Sequence, residues 1–440
     1  MLAGIRYFLS DVAHWLSSHR WAATGILVAV LTAGGVAAYL ATSGGDGNQG
    51  AGVGPAPAPR IVVKNVPAPD NTDDLGFPAF ATKNTTRVAG SSPIVDAAAV
   101  ALAVFPSTGG LPGPDAVTLV DAGDWQAAIA AASLVGGPVG APLLITEAGE
   151  LSTLTAAAIR ELAPKGSAAT AGRQVFVVGG AAVPDGYETL TIDGADAAEL
   201  ASGIDRLRDR LAGEPDHIVL TSSDAPPYAM PAAGWAARSG DPVLFVHKDS
   251  VPDATVEALR RHDGVPVFVL GPTSVVGDKT MKEIRHIAPS AERVGAEGPV
   301  ENAIAFARYV NGSFGWNIND PGHGFVLANT DRPLDAAVAS PLSASGTWGP
   351  VLVTDDGATL PASLHGYLLD LKPGYADDPT RAVYNHAWLI GDTSALSVDL
   401  QAEVDDLAEV APVTSGSGST LGPAPGTPES QPQPNSGQPK

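Results

Sequence analysis

The sequence predicts an α/β protein. Its body is three tandem copies of one unit, each a small parallel sheet covered by helices, behind an N-terminal transmembrane helix. Three observations predict this. Short landmarks recur three times in one order at similar spacing, the strands are continuous apolar runs, and a charge-free apolar stretch lies near the start.

That stretch comes first along the chain. From Trp21 to Ala41 there is no Asp, Glu, Lys or Arg, and 21 residues rise about 30 Å as a helix, enough to cross the hydrocarbon. Trp21 and Tyr39 stand near its ends, where amphipathic rings favour the headgroup level. Arg6 and Arg20 precede it, and the next basic residue is Arg60. The positive-inside rule therefore leaves residues 1–20 in the cytoplasm and puts everything after 21–41 outside. A cleaved signal peptide, cut after Ala38, is the competing reading; the length of the run favours the anchor. Residues 42–80 are a Gly-rich then Pro-rich linker, and 412–440 are Ser, Gly, Pro and Gln with too few apolar residues to offset ordering.

The repeat follows. Its first landmark is a short polar strand ending in glycine: Thr86-Arg-Val-Ala-Gly90, Thr191-Ile-Asp-Gly194 and Glu292-Arg-Val-Gly295. Its second is an apolar strand opened by proline at Pro142, Pro242 and Pro350. Its third is an apolar strand running into Gly179, Gly271 and Gly391. Gly90 to Pro142 is 52 residues, Gly194 to Pro242 is 48, and Gly295 to Pro350 is 55. Order, spacing and residue type agree together, which divides the body into repeats at 81–188, 189–289 and 290–411.

Within the repeats Ser92-Pro93 predicts a capped helix start, continued from Ile94 to Phe105. Further strands are predicted at Val117–Val120, Ile218–Thr221 and Phe325–Ala328. Ala-rich helices follow at Gln126–Leu134, Ala229–Ala237 and Leu334–Ala344, and others at Leu154–Leu162 and Ala254–Arg260. Continuous apolar strands separated by helices describe a parallel sheet buried on both faces.

Composition narrows the chemistry. With 47 acidic against 25 basic residues the net charge is −22, which repels nucleic acid phosphates. There is no cysteine, which removes disulfides, thiolate metal sites and cysteine nucleophiles. No Gly-x-Ser-x-Gly elbow supports a serine nucleophile. The histidines form no i, i+4 zinc pair with a neighbouring Glu. Asp121-Ala-Gly-Asp124 and Asp355-Asp356-Gly357 offer too few ligands for a calcium loop and read as turns.

With these landmarks in place the body, from about 80 to 410, resembles the cell-wall-binding repeat family of type 2. The first copy carries Arg87-Val-Ala-Gly90, Leu143-Leu-Ile145 and Val178-Gly-Gly180; the third carries Arg293-Val-Gly295, Asp335-Ala336 and Val351-Leu-Val353. The second copy departs, with Thr191 for the leading Arg and Pro227-Tyr228-Ala229 for the Asp-Ala pair. The family's Arg-Tyr-x-Thr-Ala segment is also replaced, by Ser91-Ser-Pro-Ile-Val-Asp96 and Glu297-Gly-Pro-Val-Glu301. The resemblance implies a Toprim-like fold, three units packed with pseudo-threefold symmetry, and a non-enzymatic surface protein. Such a protein would be anchored in the membrane and bound non-covalently to a cell wall polysaccharide or teichoic-acid-like polymer. A surface scaffold binding another protein is the alternative, and a wall hydrolase a third.

The expected ligand-binding residues are Arg87 and Arg293, whose guanidinium groups suit phosphate or carboxylate, and Asp124, Asp224, Asp331 and Asp335 near the carboxyl ends of strands. Intramolecular ion pairs and helix caps are the competing roles. No cofactor is expected. An anionic polymer would need divalent cations to bridge it to so acidic a body.

Overall fold

Long-range strand pairing organises the molecule. The computed structural model describes residues 79–88, 90–106, 113–345 and 349–413. The anchor at 21–41 and nearly all of the 412–440 tail lie outside the described residues. Among the described residues no helix is long and apolar enough to cross a membrane.

The first sheet contains β3 (Val117–Asp121), β4 (Leu143–Thr146), β5 (Val175–Val178) and β6 (Thr189–Ile192), in the order β4-β3-β5-β6. The second contains β7 (Ile218–Ser222), β8 (Val243–Val246), β9 (Val267–Leu270) and β10 (Glu292–Val294), in the order β8-β7-β9-β10. All pairings in these two sheets are parallel. The expected apolar strands are these, and they are buried residue by residue.

The third sheet shows how the repeat is used. It joins β11 (Gly324–Asn329), β12 (Val351–Thr354) and β14 (His386–Ile390) to β2 (Thr85–Val88) from the start of the chain, with β1 (Ala79–Ala81) antiparallel on the outside. Thr86 pairs with Trp388 and Arg87 with Leu389. The polar opening strand of each sequence repeat thus completes the sheet of the repeat before it, and the first serves the third. Sequence period and sheet are offset by one strand and one helix. A short ladder, β13 (Gly374–Tyr375) with β15 (Ala411–Pro412), lies outside the three sheets.

Helices repeat the same cycle. After each closing strand comes α1 (Pro93–Val104), α4 (Ala197–Ala212) or α8 (Pro299–Arg308). These pack on β4, β8 and β12 respectively, the edge strand of the next sheet. The Ala-rich helices α2 (Trp125–Ala131), α5 (Pro226–Ser239) and α9 (Pro333–Val338) touch one another pairwise, with α10 (Ser340–Ala344) against α5. The expected helix over 334–344 is broken in two, and Pro341 lies at the start of the second piece.

Small residues make the central contact possible. A Cβ on Gly136 would stand 2.2 Å from the Ala237 carbonyl oxygen, and one on Gly234 would stand 2.9 Å from Ser343 Oγ. Hydrophobic residues from all three sheets form one continuous core. The remaining helices, α3 (Thr153–Leu162), α6 (Asp253–Arg261), α7 (Asp278–Ile287), α11 (Ala362–Asp370) and α12 (Val398–Ala408), complete the layers. The first sheet has no helix between β5 and β6 where the others carry α7 and α12.

Candidate functional site

A doubly wound sheet opens at its carboxyl edge, between the strands where the chain reverses its direction of travel. Here that point lies between β3 and β5, β7 and β9, and β11 and β14. Asp124, Asp224 and Asp331 follow β3, β7 and β11, so the structure sets all three at the mouths. Opposite them Gly179, Gly271 and Gly391 turn with φ of +57°, +120° and +97°, a region open to glycine without a steric cost.

Each expected residue has a definite place. Arg87 is 1% exposed. Its Nε donates to Gln401 Oε1 at 2.8 Å, and its terminal nitrogens donate to the carbonyls of Gly391, Asp392 and Ser397 at 3.0–3.1 Å. Burial pulls its pKa down to about 10. Arg293 plays the same part in the second sheet, donating to the Gly271 and Val276 carbonyls, both at 2.7 Å. Both arginines grip the glycine turn of the neighbouring strand from within. The matching position in the first sheet is exposed Thr191, and that sheet lacks the following helix.

Asp124 caps α2 by accepting from the Ala127 amide at 2.9 Å, and burial raises its pKa. Asp331 is exposed. Asp335 is fully buried, as is Asp96, and both carboxylates face one arginine. Arg332 Nε lies 2.7 Å from Asp335 Oδ2, and an Arg332 terminal nitrogen lies 3.2 Å from Asp96 Oδ2. The Gly90 amide donates to Asp96 Oδ1 at 2.9 Å. Burial first, and then the neighbouring Asp335 charge, push the Asp96 carboxyl up to about 8; burial raises Asp335 to about 6. This cluster fills the third mouth. Leu200 stands at the matching place in the first sheet. Asn302 does so in the second, buried with both amide atoms unpartnered among the described residues.

The acidic turn motifs are turns. Asp121 accepts from the Gly123 and Gly149 amides, and Asp356 from Ala358, Thr359 and the Thr359 hydroxyl. The one group able to surround a metal ion among the described residues is Asp205, Asp209 and His262. The sequence reading does not reach it, because α4 supplies the two acids and the residue after α6 supplies the histidine. His262 Nε2 lies 2.9 Å from Asp205 Oδ1 and 3.6 Å from Asp209 Oδ2. Arg261 ion-pairs with the same two carboxylates, so a cation already neutralises them and the cluster clamps α4 to α6.

Serine, histidine and aspartate meet twice among the described residues: Ser313 Oγ lies 3.1 Å from His217 Nε2, with Asp241 Oδ2 3.2 Å from its Nδ1, and another set lies after β7. Ser223 Oγ and Asp224 Oδ1 both lie 2.9 Å from His247 Nδ1. A nucleophilic triad needs the serine and the acid on opposite ring nitrogens. At His247 both partners share Nδ1, which positions the imidazole without activating Ser223, whereas the Ser313 set has the opposite-nitrogen order, with His217 and Asp241 buried. Burial raises the Asp224 pKa, but hydrogen bonds from His247, the Lys248 amide and Ser223 outweigh it and leave the pKa below the usual range. These residues border a cavity of about 170 Å³ on the seam between the first and second sheets, with Gln126 and Asp196 facing them from the first side.

No protein-family model matches the chain, and no curated protein matches its sequence. The fold does match solved structures. Cwp6 from Clostridium difficile is similar with a TM-score of 0.57 and 18% identity, over 74% of this chain and 47% of that one. Cwp8 from the same organism gives 0.56 and 16%, over 74% of this chain and 52% of that one. The chain therefore spans about half the length of the structures it matches, and it shares their fold.

Proposed function

We propose that the chain is a non-enzymatic, membrane-anchored surface protein. Its ring of three sheets docks non-covalently onto a secondary glycopolymer of the cell wall. The observation that carries this is the likeness of the ring to Cwp6 and Cwp8 over 74% of the chain. The sequence resemblance to type 2 cell-wall-binding repeats, over about residues 80–410, covers a similar share of the chain. In this reading the repeats at 81–188, 189–289 and 290–411 form the binding body. Residues 21–41 hold it to the membrane with 1–20 in the cytoplasm, and 42–80 lift it toward the wall.

The ligand-facing groups in this reading are the exposed mouth carboxylates, Asp224 and Asp331. Arg87, Arg293 and Asp335 shape the mouths from behind, because their polar atoms are engaged internally. Asp124 does so as a cap.

Co-sedimentation of the full-length chain with protease-treated sacculi tests this, before and after acid extraction of the secondary polymers. Sedimentation lost only after extraction supports glycopolymer binding. Sedimentation unaffected by extraction, or absent throughout, overturns it, and release of soluble wall fragments would reinstate the hydrolase reading.

A further inference from the structure

The three seams between sheets are built alike but furnished differently. Where the second sheet carries His247 directly after its edge strand, the first carries Glu147 and the third Asp355. At the first-to-second seam polar groups from two sheets converge on a cavity of about 170 Å³. Gln126 and Asp196 enter from the first side; Ser223, Asp224 and His247 enter from the second, over the ring of Phe245. Asp224 is fixed from three directions, by Ser223, His247 and the Lys248 amide. With His247 Nδ1 engaged, its Nε2 has no partner among the described residues.

The volume is below the range of about 300–1,000 Å³ typical of drug-sized ligands, and suits one small ring rather than an extended chain. The lining also sets the charge. Two exposed carboxylates beside hydroxyl, amide and imidazole groups favour a ligand rich in hydroxyls that carries a positive charge, and disfavour an anion.

We infer that this seam is a subsite for a single amine-bearing sugar ring, held by Asp224 at its ammonium group and by Gln126 and His247 at its hydroxyls. This deepens the wall-binding reading by naming the chemistry recognised at one place, and it rests on that reading only for the origin of the sugar.

The test uses the full-length chain, with glucosamine, N-acetylglucosamine and glucose as separate probes. NMR of the His247 ring and competition in sacculus sedimentation are the readouts. Glucosamine is expected to shift the His247 signals and to bind at least tenfold more tightly than either neutral sugar. Asp224→Asn should erase that preference, while Asp377→Asn, on an exposed loop away from the seam, leaves it unchanged. His247 signals that do not respond to glucosamine, or an unchanged preference in Asp224→Asn, overturn the subsite. A response to glucosamine in a chain that fails to sediment with sacculi keeps the subsite and removes the wall reading.

Discussion

Substituting Asp96 by Asn isolates the energetics of the third mouth. The side chain is fully buried between the Gly90 amide and Arg332, with Asp335 alongside, and asparagine keeps its shape and the Gly90 hydrogen bond. Its carboxyl is pushed from an ordinary value of 3.8 to about 8. A raised acid holds a proton in the folded state that the unfolded chain has already released. Its stabilising contribution is thus complete below about pH 4 and is lost as pH rises toward 8. Each pH unit inside that window removes about 1.4 kcal/mol, so the loss between pH 5 and 7.5 is on the order of 3 kcal/mol. Urea unfolding at several pH values measures it. Relative to wild type, Asp96→Asn should gain about 3 kcal/mol across that interval, a midpoint shift of roughly 1 M for an m-value near 3 kcal/mol/M. Wild type and variant running parallel from pH 5 to 7.5 would show that Asp96 holds no such proton.

Three further outcomes follow from the packing. Arg87→Ala strips four donors from buried acceptors and should cost about 3 kcal/mol or more, whereas Arg293→Ala, half-buried with two acceptors, should cost about half as much; the same urea titrations compare them. Gly136→Ala forces a methyl against the Ala237 carbonyl and should destabilise by about 1–3 kcal/mol, with faster hydrogen exchange in both α2 and α5 if the central contact yields. Burial lowers the His262 pKa, but Asp205, with help from Asp209, outweighs it and leaves the pKa raised. Its share of the α4–α6 clamp is therefore full below about pH 6.5 and fades as pH climbs through the raised value, a slope that His262→Gln should remove and that Asp96→Asn should leave in place.

Much of this fold was readable because apolar runs and punctuating residues mark elements locally. Pro142, Pro242 and Pro350 announced the edge strands, and Gly179, Gly271 and Gly391 the turns at the mouths. What periodicity cannot carry is phase. A polar strand that opens a repeat looks the same whether it pairs with its own sheet or the previous one, since a parallel partner needs a crossover in both cases. The pairing of Arg87 with Leu389 joins residues some 300 apart, and no local signal announces it. The site suffered similarly. Asp124, Asp224 and Asp331 could be set after β3, β7 and β11 from topology, but the seam depends on Gln126 and Asp196 of one sheet meeting His247 of another, which only packing arranges. Arg87 looked available for phosphate because sequence records a charge and not its burial.

Closure by the first strand also explains why the copies were free to diverge. A linear array has weakly covered ends, whereas here β2 and α1 cover the last sheet and β4 together, so every sheet has two neighbours. Each opening strand then answers to the turn it grips rather than to its own repeat. Arg87 and Arg293 remain where a helix follows the glycine turn, and Thr191 stands where none does. The mouths diverge by the same logic: apolar at Leu200, amide at Asn302, doubly acidic at Asp96 and Asp335. One backbone frame, held by small residues at its centre, thereby presents three chemically unequal edges. A ligand that recognises one of them does not automatically recognise the others, so the repeat number is an upper bound on binding valence and not a measure of it.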